Sequence, residues 1–182
     1  MGSGQEISKV EYTIADDFET GELDAWEPYP YSQDIGYDAL FFARKSPTYQ
    51  NSGYAIARPV KSNNTAELEH GFTKRIDLWT TNETELKCAV YFQSDRNADE
   101  LELGLGTFDG EFYTHKINNP KANQWLGINL PIREFISSRT GRTLAPGQHL
   151  QVVTVKGSYK VVYYLYTYTI LMDNFSLNGE KA

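Results

Sequence analysis

Alternation of apolar and polar residues with a period of two runs through most of this chain. It is clearest mid-chain, where Leu86, Cys88, Val90 and Phe92 share one face and Lys87, Ala89, Tyr91 and Gln93 the other, the pattern of a strand with one buried face. Leu101, Leu103 and Leu105 alternate likewise with Glu102, Gly104 and Gly106. Leu68, Phe72, Ile76 and Leu78 alternate with Glu67, Glu69, Thr73, Arg75 and Asp77, and Gly71 predicts a bend in that strand. The run from Ser158 to Leu177 differs, because neither of its faces is polar enough for bulk water. One face carries Tyr164, Tyr166, Tyr168 and Ile170, the other Val161, Tyr163, Leu165, Thr167, Thr169 and Leu171. It predicts one long strand covered on both sides. Asp173 stands where the apolar run stops, and a carboxylate there needs a cation, backbone donors or water.

Turn signals divide these runs. Phe108-Asp-Gly-Glu111 predicts a tight hairpin, and Pro47 to Gly53 a turn between strands at 39–44 and 54–60. Glu27 to Tyr37 contains Pro28 and Pro30 and is expected to be a loop rich in exposed tyrosine. Pro131 to Ile136 is short enough for one helical turn. Roughly ten short strands at near-even spacing predict an all-β fold. The expected architecture is a two-sheet antiparallel β-sandwich of jelly-roll type. Residues 6–180 are expected to form one domain, while residues 1–5, opening Met1-Gly-Ser-Gly4, read as a cloning remnant or a disordered end.

Composition narrows the function. With 182 residues and 40% hydrophobic content the chain supports one sizeable core, burying roughly 70% of the unfolded surface. The net charge of −7 and scattered basic residues argue against nucleic acid or an anionic membrane as partner. No apolar run approaches the roughly 20 residues of a membrane span. Cys88 is the single cysteine, so neither a disulfide framework nor a cysteine zinc site is available. Aromatic content is the unusual feature, with 13 Tyr, 9 Phe and 3 Trp. Tyrosine offers a flat apolar body with a polar tip, which suits strand surfaces and sugar rings alike.

Four short motifs occur in order: Asp17-Phe-Glu-Thr-Gly21 followed by Trp26, Ser52-Gly-Tyr54 opening a strand, Trp125 leading into Ile128-Asn-Leu-Pro-Ile132, and Leu171-Met-Asp-Asn-Phe-Ser-Leu177. This order resembles galactose-binding-domain-like carbohydrate-binding modules, the jelly-roll modules attached to bacterial glycoside hydrolases and polysaccharide lyases. The Tyr29-Pro-Tyr-Ser-Gln-Asp34 loop is similar to the N-terminal sandwich of heparinase-like lyases. The resemblance implies a sugar-binding or enzyme-accessory domain, secreted, periplasmic or at the cell surface, alongside a catalytic domain of the same native protein. It also implies a structural calcium, with Glu19 and Asp173 supplying carboxylates, Asp17 its side chain or its carbonyl, and the loop at Asn51 and Ser52 carbonyls. Hard oxygens of this kind suit the six to eight ligands that calcium takes. The alternative is that the early acids are solvated turn residues and Asp173 accepts backbone donors.

A polysaccharide or oligosaccharide site needs an aromatic platform and a few polar groups for hydroxyls. One candidate is the outward face of the central strands, where Tyr91 and Gln93 would lie near Glu102 and either Tyr113 with His115 or Tyr164 with Tyr166. The other is the loop surface of Tyr29, Tyr31, Tyr37 and Tyr49. Such tyrosines would equally suit packing against a neighbouring domain. Trp26, Trp79 and Trp125 are expected in the core or at its rim. A jelly-roll lyase acting on a uronate glycan is the catalytic alternative, drawing on Tyr91, Gln93, Tyr113, His115 and Arg58. Basic groups are sparse for such a cleft, and the expectation is a non-catalytic domain.

Overall fold

The computed structural model describes residues 8–29, 42–50, 52–62, 68–160 and 166–182. Within them the strands are β1 (Val10–Asp16), β2 (Glu27–Tyr29), β3 (Phe42–Arg44), β4 (Ala55–Ser62), β5 (Leu68–Trp79) and β6 (Glu85–Gln93). They continue as β7 (Glu100–Thr107), β8 (Phe112–Asn118), β9 (Trp125–Pro131), β10 (Ile136–Ser137), β11 (His149–Tyr159) and β12 (Tyr166–Lys181). Among the described residues the one helical element is the 3-10 turn Ile132–Glu134, at the position expected.

All the pairings are antiparallel and form two layers. The first runs β3-β4-β12-β6-β9 and the second β10-β8-β7-β11-β5-β2. The two are joined at the tail of β12, where Glu180 pairs with Trp79 of β5. One edge of β12 is shared: β4 covers Tyr166 to Met172, and β1 covers Phe175 to Lys181. The chain therefore has the expected two-layer β-sandwich.

The period-two sets meet between the layers. Leu86, Cys88, Val90 and Phe92 of β6 and Tyr168, Ile170 and Met172 of β12 face Phe72, Ile76 and Leu78 of β5, Leu101, Leu103 and Leu105 of β7, and Val153 and Val155 of β11. At about 1.5–3 kcal/mol for each large side chain fully buried, this seam is the main favourable term. Cys88 is buried within it, and burial pushes its thiol up to about 12, so it is unreactive.

Three local expectations differ from what is found. Ser158 and Tyr159 end β11, and β12 begins at Tyr166, so the aromatic run is divided between two strands. β-propensity cannot show such a division, because both pieces favour strand. The irregular register lies between Leu150 and Val152 of β11 rather than at Gly71. Gly71 sits in regular pairing, and an added Cβ would lie 1.9 Å from the Val155 carbonyl oxygen, so its small size serves close approach of two backbones. Finally, Glu27–Tyr29 opens the expected loop as a short edge strand on β5, a place where Pro28 is tolerated.

Candidate functional site

The outward face of the first layer carries a row of aromatic rings that includes Tyr91, one of the expected sheet-face residues. Register sets Phe42, Ala57, Leu171, Tyr91 and Trp125 in one row across β3, β4, β12, β6 and β9. Small Ala55 and Ala57 keep the floor low, and with Leu171 they form an apolar patch packed under Tyr91 and Trp125. The Tyr91 and Trp125 rings lie 5.3 Å apart, and Tyr49 meets Trp125 edge-on at 5.7 Å. Gly127 makes room for Tyr49, whose hydroxyl oxygen would lie 3.3 Å from a Cβ there. All three rings are half-buried, and the Trp125 indole N–H is buried without an acceptor.

Beside this trio is a cleft of about 570 Å³ lined by Phe42, Arg44, Pro59, Gln93, Thr167 and Thr169. The Arg44 guanidinium reaches over β4 and β12 and donates to Gln93 Oε1 at 2.9 Å. On the other side of the trio is a depression of about 350 Å³ bordered by Tyr49, Lys87, Asn129 and Asn174.

Directly beneath the Tyr49 loop lies the second cluster. Phe18 is fully buried and has a left-handed backbone (φ 60°), which turns the acidic segment so that Glu19 faces the loop. Glu19 accepts the Ser52 hydroxyl and the Gly53 N–H, the latter at 2.9 Å, and these bonds hold its carboxyl below the usual range. A Cβ on Gly53 would approach Glu19 Oε2 to 2.9 Å. Asp173 is fully buried; its Oδ2 accepts the Tyr49 N–H at 3.3 Å and its Oδ1 the Asn174 N–H at 2.7 Å. The register shifts directly after Asp173, with Asn174 left-handed (φ 48°), a conformation asparagine tolerates. Burial raises the Asp173 carboxyl, Ser52 and the two N–H donors oppose this, and Glu19 adds to the rise.

Glu19, Ser52 and Asp173 are thus brought together. Asp17 Oδ1 accepts the Glu19 N–H at 3.1 Å in a local turn. Asn51 lies outside the described residues. Two carboxylates and a hydroxyl are hard-oxygen donors of the kind a divalent cation takes, and among the described groups acting on Asp173 none is basic. Among the described residues no group of three or more His, Cys, Asp or Glu gathers, so carbonyl or water oxygens must complete a cation's shell.

The remaining predicted sugar residues are scattered. Glu102 projects from the outer face of the second layer, where Lys156 lies 3.4 Å from it and sits over the Tyr29 ring at 4.8 Å. Tyr113 and His115 pair with Leu105 and Leu103, so they share the inner face of the second layer, at its rim. His115 Nδ1 contacts the Glu134 carbonyl oxygen at 2.9 Å. Arg58 is fully buried, with Nη1 3.4 Å from the Gly71 carbonyl oxygen. The lyase grouping of Tyr91, Gln93, Tyr113, His115 and Arg58 is therefore split between opposite layers. Tyr166 begins β12, but its side chain, like Tyr31, Tyr37 and Tyr164, lies outside the described residues.

Trp125, expected in the core or at its rim, lies half-buried on the outer face of the first layer, and Phe42 and Arg44 were not singled out in the sequence. A signal existed for Trp125, which is in phase with Gly127 and Asn129 and out of phase with Leu126, Ile128 and Leu130. Trp26 is in the core, its indole N–H donating to Asp16 at 2.9 Å, and Trp79 stacks on His149 at 4.1 Å.

No protein-family model matches the chain, and no curated protein aligns with it. Solved structures do match. The family 11 carbohydrate-binding module from Clostridium thermocellum, in complex with a β-1,3-1,4-mixed-linked tetrasaccharide, superposes with TM-score 0.55 at 17% identity, over 93% of this chain and 95% of that one. The fold is that of the β-sandwich carbohydrate-binding modules. TmCBM61, solved with β-1,4-galactotriose, shares this sandwich with TM-score 0.50 at 12% identity, over 91% and 94% of the two chains. The CBM22-1–GH10 modules of xylanase 10B from C. thermocellum, solved with xylohexaose, contain the same sandwich within a longer chain (TM-score 0.53, 14% identity, 92% of this chain and 28% of that one).

Proposed function

We propose that this protein is a non-catalytic carbohydrate-binding module that takes a polysaccharide or oligosaccharide across the outer face of its first layer. The supporting observation is the row of Tyr91 and Trp125 with Tyr49, set directly beside a cleft carrying Arg44, Gln93, Thr167 and Thr169. Aromatic faces match the C–H faces of sugar rings, while amide, guanidinium and hydroxyl groups match their hydroxyls. Structurally similar sandwiches have been solved with bound oligosaccharides, which supports the same use here.

In this proposal a calcium ion is held by Glu19 and Asp173 with loop oxygens around Ser52. When bound it supplies charge that balances the buried carboxylate. The chain's own residues do the positioning: Asp173 fixes the Tyr49 backbone, and Tyr49 completes the platform. The module would serve a larger secreted, periplasmic or cell-surface glycan-processing protein, an arrangement for which the xylanase modules are a structural precedent.

Affinity electrophoresis against neutral and acidic glycans tests the proposal. Tyr91→Ala or Trp125→Ala is expected to weaken binding about thirtyfold, equivalent to about 2 kcal/mol, whereas Tyr113→Ala should leave it unchanged. No retardation by any glycan would refute sugar binding and favour docking against another protein domain.

A further inference from the structure

We infer that the glycan recognised at this face carries a carboxylate or a sulfate, and that Arg44 is the residue that selects it; the inference rests on the sugar-binding reading above. Among the described residues lining the cleft, Arg44 is the charged one. Among the described residues its one hydrogen bond goes to the neutral Gln93 amide oxygen, and it forms no ion pair there. Lys74, Arg139 and Lys156 all have carboxylate partners.

A guanidinium presents five N–H donors in a planar fork, and Gln93 accepts from only one. Among the described residues the rest have no anionic acceptor. Gln93 Oε1 anchors the fork, leaving the Gln93 amide N–H groups to donate as well. The cleft therefore holds a cation and several donors beside apolar Phe42 and Pro59, where water competes less well. Neutral hydroxyls need no such charge. A planar carboxylate, or the oxygen face of a sulfate, takes two of these donors at once.

The charge balance limits the form of the ligand. A chain at −7 repels a dense polyanion at long range, and a single Arg gives no electrostatic steering. Recognition rests on short-range contact with one acidic group, so affinity should depend only weakly on ionic strength.

The test uses the full chain against glucuronoxylan and its carboxyl-reduced counterpart, and against carrageenan and its desulfated counterpart. The expected result is binding to at least one acidic glycan at least tenfold tighter than to its neutral twin, with the pair identifying carboxylate or sulfate. Arg44→Gln should abolish that preference, and Arg44→Lys should restore part of it. Binding to neutral glycans that is as tight or tighter and unaltered by Arg44→Gln would overturn the inference while leaving sugar binding intact. Failure of every glycan, with Tyr91→Ala also silent, would overturn both. Melting temperature of each variant shows that the fold is retained.

Discussion

Asp173 carries a charge where almost no water reaches it. Burial first, and Glu19 in addition, hold its carboxyl above the usual range against the pull of Ser52, Asn174 and Tyr49. The folded chain thus binds this proton more tightly than the unfolded chain, so the group destabilises the fold increasingly as pH rises through that window. In metal-free buffer, the melting temperature of the wild type relative to Asp173→Asn should therefore rise as pH falls from about 7 toward about 4. A difference that stays level, or that falls, would show the carboxylate to be well solvated. At this scale the sequence was informative about chemistry and poor on location. A lone carboxylate ending an apolar run is visible in the text, and only the motif order, not periodicity or spacing, pointed to Glu19 and Ser52 as its neighbours, because that meeting depends on the turn at buried Phe18. Arg44 gave no signal, since a basic residue at a strand end is ordinary.

Strands were legible wherever one face is wet. The β6 alternation of Leu86 to Gln93 set both the core and the platform faces, and Tyr91 and Gln93 project outward as the period requires. What the period cannot supply is pairing: Glu102 has the outward phase too, yet β7 lies in the other layer. Strands apolar on both faces also conceal their ends, which is why the division between β11 and β12 escaped detection. Gly71 tests how tightly two such elements are joined. Alanine there would press its Cβ against the Val155 carbonyl and the Lys156 backbone, atoms that cannot swing aside. Overpacking of this kind costs about 3 kcal/mol, or about 10 °C of melting temperature for a chain of this length. A shift below about 2 °C would mean that the strands separate without penalty.

The whole molecule is held together by two kinds of tie. The apolar seam between layers depends on many side chains and no single one. The cluster of Glu19, Ser52 and Asp173 is different, since it fastens the first turn and the Tyr49 loop to β12 through a few oxygens. With calcium at about a hundredfold its dissociation constant, the fold should gain about 2.7 kcal/mol. Chelation is then expected to lower the melting temperature by about 5–10 °C, and to weaken glycan binding through Tyr49. Metal analysis finding no calcium, together with an unmoved transition, would remove the ion from the account.

The length of β12 sets where β1 and the tail of β12 stand relative to the cleft. Val10 and Lys181 are cross-strand neighbours, whereas Thr167 borders the cleft at the opposite end of the same strand. At about 3.3 Å per residue, the separation along β12 is about 45 Å. The margin of the sandwich that carries Val10 and Lys181 thus stands far from Thr167, so bulk added there would leave the cleft unobstructed.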